Sequence, residues 1–220
     1  MRILAALLLV PTLAAAGTVF DGYAAYYATL PGQLFRGQPI ELQPYSVQGD
    51  EGVRLGGSGT AIGRRHKVEI RDGVLAIDGY VLKPRSVKAF PDEAVSDGDL
   101  GIGATAYFAS AWACVENTPR SASGTAVRHK AVYLVRLTNK KPQAWKLPSL
   151  FAACRGIREQ AGQIRFDKVE YRYADGQDFP QGVSFREYAI QGGRFVPSDS
   201  VRTATFVERD NVYRFVIDPQ

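Results

Sequence analysis

The sequence contains few of the residues from which metal sites are built. Its 220 residues include two histidines, His66 and His129, and two cysteines, Cys114 and Cys154. A tetrahedral zinc site would need all four side chains to converge, and their spacing matches no zinc-ligand pattern. The acidic segment Asp97–Asp99 lacks the twelve-residue pattern of a calcium loop. We therefore expect neither a metal nor a cofactor.

Histidine is also the usual general base of hydrolases, and both histidines stand among cations. The cations are Arg64, Arg65 and Lys67 around His66, and Arg128 and Lys130 around His129. Neighbouring positive charge disfavours the imidazolium that a general base must become. Residues 57–59, Gly-Ser-Gly, lack the glycine spacing of a nucleophile elbow. The sequence therefore favours a non-catalytic protein. The alternative is a secreted hydrolase with an unrecognised site, acting through His66 or His129.

The carboxylates show no pairing of the kind that a glycosidase needs. Such an enzyme holds two carboxyl groups about 5–10 Å apart, and spacing along this sequence pairs none. Glu159, Glu170 and Glu187 lie near β-like segments and alternate with apolar residues. Because this is the pattern of outward-facing strand positions, we expect all three side chains to face solvent.

Charge of one sign is not in large excess. The chain has 27 Lys and Arg against 22 Asp and Glu, a formal net charge of +5, and both signs run along the whole sequence. This balance does not favour a nucleic-acid partner. It is compatible with a protein partner or an anionic polymer of the cell envelope, and these are the partners that we expect.

Long apolar runs are confined to the N-terminus. Arg2 precedes the apolar run Ile3–Val10, and Ala14–Ala16 supplies the small residues that signal peptidase requires. A membrane-spanning helix needs about 20 apolar residues, and neither this run nor any later segment is long enough. We predict a signal peptide over residues 1–16 and export to the periplasm or the extracellular space. A single β-rich domain is predicted over residues 17–220.

Both cysteines follow the predicted signal peptide. In an oxidising compartment an even pair of cysteines indicates a disulfide. We predict a bond between Cys114 and Cys154. It would close a loop of about 40 residues and stabilise the fold by roughly 4 kcal/mol through loop entropy.

Short alternating runs separated by turn residues dominate the sequence, and helical periodicity is scarce. Asp72-Gly73, Gly192-Gly193 and Asp210-Asn211 each separate two apolar runs, as turns of β-hairpins do. Helical spacing is limited to Val19–Leu30 and a short segment after Ser149. We predict a mainly β fold, with a single antiparallel domain that is sandwich-like or a partial barrel. It would have one or two short helices and one disulfide.

Two of the alternating runs change parity partway. The alternation slips between Phe166 and Val169, and again between Phe185 and Tyr188. A one-residue slip moves all later side chains to the other face, so each slip predicts a bulge or a local bend. Residues 131–135, by contrast, are apolar on both faces, which predicts a central strand.

Basic clusters are the most concrete surface feature of the sequence. The candidate binding residues are Arg64, Arg65, His66, Lys67, Arg128, His129 and Lys130. A third basic cluster is Lys140-Lys141. The three clusters would form one patch if the strands that they precede were neighbours. Such a patch would attract an anionic polymer or an acidic protein with salt-sensitive affinity.

Together these features predict an exported, non-catalytic binding protein that recognises a protein or an envelope component. An inhibitor or immunity protein that blocks an envelope-acting enzyme fits the size and location. Besides the hydrolase, the other alternative is a structural or assembly factor of the envelope. Such a factor would be a stable member of a larger complex.

Overall fold

A computed structural model of the protein describes residues 17–48, 52, 54–118, 123–138 and 141–219. The predicted signal peptide, residues 1–16, lies outside the described residues. The described chain is mainly β, with antiparallel sheets curled into a half-barrel, which confirms the predicted fold class. No helix in this part of the chain has the length and hydropathy needed to cross a membrane.

The described residues form seventeen strands and one α-helix. Strands β1 to β6 are Val19–Asp21, Ile40–Glu41, Gln43–Tyr45, Arg54–Ala61, Arg64–Arg71 and Val74–Ile77. Strands β7 to β12 are Tyr80–Val81, Val87–Ala89, Thr105–Ala109, Trp112–Asn117, Ala131–Arg136 and Gln143–Lys146. Strands β13 to β17 are Arg158–Gln160, Gln163–Arg172, Gly182–Gln191, Arg194–Glu208 and Asn211–Ile217. Helix α1 is Tyr23–Thr29, and short 3-10 helices are Pro84–Ser86, Gly124–Arg128 and Cys154–Gly156.

The strands are arranged in three sheets. Sheet A has the order β1-β17-β16-β15-β14-β13, sheet B the order β2-β9-β10-β11-β12-β8, and sheet C the order β3-β4-β5-β6-β7. Neighbouring strands are antiparallel except β8 and β12, which are parallel. The turns predicted from the sequence join β5 to β6, β15 to β16 and β16 to β17 as hairpins.

Sheet B is the central layer because both of its faces are buried. Ala131, Tyr133 and Val135 of β11 pack toward sheet C, whereas Val132 and Leu134 pack toward sheet A. All five residues are at most 3% exposed. The prediction of a central strand is therefore confirmed.

Helix α1 covers part of sheet A and is shorter than the helix expected over Val19–Leu30. Tyr23, Tyr26 and Tyr27 are buried against the sheet. The helix starts only after Gly22, whose φ is 107°. The residues before that glycine, strand β1, instead pair with β17. The helix expected after Ser149 is reduced to the 3-10 helix Cys154–Gly156.

The predicted disulfide is present. Cys114 in β10 is bonded to Cys154, with their Cα atoms 5.8 Å apart. Both residues are fully buried. The bond joins the central sheet to the segment that leads into β13 of sheet A.

Sheet A contains a buried cluster of charges. Asp167, whose side chain is 1% exposed, lies 2.9 Å from Arg158 and 2.7 Å from Arg202. Glu187 pairs with Asp167 in the strand register and lies 3.0 Å from Arg158. The expectation that Glu187 faces solvent is therefore wrong, because α1 covers this face of the sheet. Glu159 and Glu170, which were also expected to face solvent, are exposed.

The buried carboxylate of Glu69 in sheet C makes the fold sensitive to acid. Burial alone would raise the pKa of Glu69, but hydrogen bonds from Tyr45, Lys67 and Arg71 outweigh burial and lower the pKa from 4.5 to about 2. The stability that ionised Glu69 contributes is thus complete above pH 4.5 and is lost as pH falls toward 2.

We expect Glu69→Gln to flatten the acid side of a profile of unfolding free energy against pH. Glu170→Gln, at an exposed position, should leave the profile unchanged. Identical acid limbs for E69Q and wild type would contradict this account.

Candidate binding cleft

Both tryptophans of the sequence, Trp112 and Trp145, line a cleft of about 470 Å³. The cleft lies where one end of sheet B meets the hairpin ends of sheet A. Ile164 and Ile190 of sheet A contribute apolar surface to its wall. The volume is within the range of roughly 300–1,000 Å³ that is typical of ligand sites.

The strand register explains why these side chains meet. Trp112 of β10 is paired with Arg136 of β11, which is paired in turn with Gln143 of β12. In a second row, Trp145 of β12 is paired with Lys88 of β8. Residues that are paired across a sheet have Cβ atoms about 5 Å apart. Each tryptophan therefore has a cation as its direct neighbour.

The two indole rings form an aromatic wall with cations beside it. Their centroids are 5.8 Å apart and their planes are inclined at 49°. Trp145 is only 2% exposed and donates its indole N–H to the carbonyl oxygen of Gly193 at 3.2 Å. Trp112 is partly exposed. The guanidinium of Arg136 lies 5.8 Å from the Trp112 ring, and the ammonium of Lys88 lies 5.9 Å from the Trp145 ring, within the range of cation–π contacts.

Tight hairpin turns form the rim of the cleft. They are Ser110–Ala111 between β9 and β10, Ala161–Gly162 between β13 and β14, and Gly192–Gly193 between β15 and β16. In the second turn φ is 50° and 74°, and in the third it is 56° and 77°. Positive φ at both positions is the signature of type I′ turns, which match the twist of the strands they join. The rim is therefore a set of short turns held by paired strands.

The cleft has a small excess of positive charge. Arg136 and Lys88 are exposed, and among the described residues neither has a carboxylate partner. Glu159 is the one carboxylate among the described residues that line the cleft. Many other surface cations are paired, as Arg172 is with Asp218 at 2.9 Å. The two cations of the cleft are thus available to a ligand.

The structure does not join the basic clusters around His66 and His129, and Lys140 of the third cluster lies outside the described residues. The guanidinium of Arg64 lies 3.5 Å from the carbonyl oxygen of Thr138, just after β11, whereas Lys130 immediately precedes β11. This strand has six residues, and a rise of about 3.3 Å per residue places its ends roughly 20 Å apart. The two clusters therefore lie at opposite ends of β11. Binding by either cluster stays a prediction.

The second cluster is held by contacts within the fold. Arg128 donates to the Tyr171 hydroxyl at 2.8 Å, His129 Nδ1 lies 3.0 Å from Ser149 Oγ, and Lys130 lies 3.6 Å from the Glu116 carboxylate. In the first cluster, strand alternation places Arg64 and His66 on one face of β5 and Arg65 and Lys67 on the other. Lys67 lies 3.0 Å from the Glu69 carboxylate, and Arg65 is exposed.

His66 is fully buried, and both of its ring nitrogens are engaged. Its Nδ1 lies 2.7 Å from the Asp78 carboxylate, and Arg64 Nε donates to its Nε2 at 3.3 Å. Because a guanidinium can only donate, Nε2 is the acceptor in its contact with Arg64. A His–Asp pair is also part of the hydrolase triad. Here the nitrogen that would act as the base already accepts a hydrogen bond from a cation.

The first cluster adjoins the cleft. Ile62, at the tip of the β4–β5 hairpin, donates its N–H to the carbonyl oxygen of Ser110 in the rim at 3.1 Å. Thr138, beside Arg64, follows Arg136 by two residues. Arg64 itself is not part of the cleft lining, and its guanidinium lies 3.9 Å from the Asp78 carboxylate.

Four residues that were not predicted from the sequence define the cleft: Trp112, Trp145, Arg136 and Lys88. The composition did carry a signal for the two tryptophans, because tryptophan occurs only twice in the sequence and is enriched in binding surfaces. The positions of the two cations held no such signal, because their proximity to the rings arises from strand pairing.

Comparison with known proteins finds no matching family model, no matching curated protein and no matching solved structure. Within the described residues there is no group of three or more His, Cys, Asp or Glu side chains that could hold a metal ion. The functional proposal therefore rests on the geometry of the cleft.

Proposed function

We propose that the protein is an exported, non-catalytic binding protein that holds a component of the cell envelope in the cleft of Trp112 and Trp145. The observation that carries the proposal is the pairing of each tryptophan with an uncompensated cation inside a rim of tight turns. Aromatic rings and arginine supply most of the energy in many binding sites. A concave, preformed site uses them well because little has to be ordered on binding.

The charged groups of the cleft support binding rather than catalysis. A glycosidase needs two carboxyl groups, whereas Glu159 is the one carboxylate on the described lining. Neither histidine lines the cleft, and the ring of His66 is engaged by Arg64 and Asp78. The hydrolase alternative therefore has less support than the binding function.

The covalent structure supports the exported location. A disulfide between fully buried cysteines, Cys114 and Cys154, is typical of proteins from oxidising compartments. This agrees with the signal peptide predicted over residues 1–16. Components of the cell envelope are the ligands that a protein meets there.

We expect Trp112→Ala to weaken binding to insoluble cell-envelope material at least about tenfold. Truncating a central aromatic contact commonly costs more than about 1–2 kcal/mol. The measurement is co-sedimentation of residues 17–220 with washed envelope material over a range of protein concentrations. Circular dichroism of the variant would show that it is folded.

Phe179→Ala is the matched control. Phe179 is an exposed aromatic ring 4.6 Å from the Arg209 guanidinium, and it lines a separate groove. We expect this variant to sediment as the wild type does. Equal affinities of W112A and wild type would refute the proposal, and so would a wild-type protein that stays in the supernatant.

A further inference from the structure

The shape of the cleft limits the class of ligand. A stable protein partner usually covers about 800 Å² of surface on each side. The cleft is instead a concave space of about 470 Å³ with hairpin turns around it. Such a space suits one segment of a polymer chain better than a broad protein surface.

The aromatic wall of the cleft is suited to a sugar ring. One face of a pyranose consists largely of C–H groups, which can pack on the partly exposed indole of Trp112 as other apolar groups do. The sugar hydroxyls would then reach the polar lining. Gln143 offers an amide donor and acceptor there, and Glu159 offers carboxylate acceptors.

The two cations of the cleft favour an acidic ligand over a neutral one. Among the described residues, Arg136 and Lys88 lack carboxylate partners, and a neutral sugar would leave them in that state. The guanidinium fork matches carboxylate and phosphate groups in bidentate geometry.

Building on the proposed function, we infer that the cleft binds an acidic glycan. A sugar ring stacks on Trp112, and carboxylate or phosphate groups of the glycan pair with Arg136 and Lys88. Glu159 accepts hydrogen bonds from sugar hydroxyls.

The test treats the envelope material in steps before co-sedimentation. The material is first freed of lipid with solvent and of protein with protease. One portion then undergoes chemical reduction of its carboxyl groups, and a second loses its phosphate through hydrofluoric acid. We expect binding of residues 17–220 to survive the first two steps. The affinity should fall at least tenfold after either carboxyl reduction or removal of phosphate. The treatment that lowers the affinity identifies whether the ligand's acidic group is a carboxylate or a phosphate.

Other outcomes would overturn the inference. Loss of binding after protease would indicate a protein ligand, loss after delipidation a lipid, and persistence after both chemical treatments a neutral glycan. In each case the proposed function survives if binding to untreated material still depends on Trp112. Independence from Trp112 would refute the proposed function itself.

Charge variants give a second, independent readout. Arg136→Gln should weaken binding about tenfold and reduce its dependence on salt, because a charge pair is removed. Trp112→Ala should weaken binding without changing the salt dependence. Arg209→Gln is the matched control, since it removes a cation from an aromatic ring, Phe179, outside the cleft. An R136Q variant with wild-type affinity and salt dependence would overturn the inference.

Discussion

Removing the disulfide is expected to lower the free energy of unfolding by about 4 kcal/mol. The bond closes a loop with a sequence separation of 40 residues, so it removes conformational freedom from the unfolded chain. The change is the double substitution Cys114→Ala/Cys154→Ala. The measurement is urea-induced unfolding of residues 17–220, followed by circular dichroism and compared with oxidised wild type.

The bond also connects layers of the fold. Cys114 lies in β10, two residues after Trp112, and Cys154 begins a 3-10 helix that contacts α1. Gly156 in that helix lies against Tyr27, since a Cβ added to the glycine would be 3.3 Å from the tyrosine ring. Loss of the bond therefore frees a segment that is packed between the central sheet and the helix.

Reduced wild type separates the effect of the cross-link from that of packing. It keeps both sulfur atoms in the core, whereas the double alanine variant also loses their volume. We expect the reduced protein to show most of the loss in unfolding free energy. The double alanine variant should lose somewhat more than the reduced protein. A loss below about 1 kcal/mol in both proteins would contradict the loop-entropy account.

The two parity slips show how much of the fold the sequence pattern contains. The register shift near Arg186–Tyr188 lies in β16, where three residues separate the partners Pro197 and Val201, against one residue in β15. Strands β14 and β15 keep a continuous register through both slips, with Phe166 opposite Tyr188 and Val169 opposite Phe185. There Phe166 packs toward sheet B, whereas Val169 packs toward α1. A strand that is covered on one face at one end and on the other face at its other end shows the same sequence pattern as a bulged strand. The two cases differ in the layers that cover the strand, and those layers come from other parts of the chain.

The cleft was harder to predict than the disulfide for a related reason. Two cysteines allow a single pairing. Lys88 and Trp145, however, meet through parallel strands that are far apart in the sequence. The burial of Glu187 also depends on a distant element, because α1 covers the face on which it lies. Local alternation predicts strands and turns, whereas these contacts depend on which strands pair and which layers stack.

Asp167→Asn is expected to destabilise the fold by about 3–5 kcal/mol. The side chain of Asp167 is 1% exposed and lies between the guanidinium groups of Arg158 and Arg202. Neutralising the carboxylate leaves two cations close together, with Glu187 as the remaining buried anion beside Arg158. The desolvation of these charges is then no longer offset by their pairing. Urea-induced unfolding measures the loss.

Asp92→Asn is the control for Asp167→Asn. Asp92 also forms an ion pair with a cation, Lys168, at 2.7 Å, but its side chain is 69% exposed. Exposed pairs contribute at most about 1 kcal/mol, so this variant should stay close to wild type.

Adding Arg202→Gln to the Asp167→Asn variant should cost less than Arg202→Gln costs in wild type, since one uncompensated cation is removed. Equal losses for D167N and D92N would contradict a stabilising role of the buried cluster. Strict additivity of D167N and R202Q would show that the two side chains are not coupled.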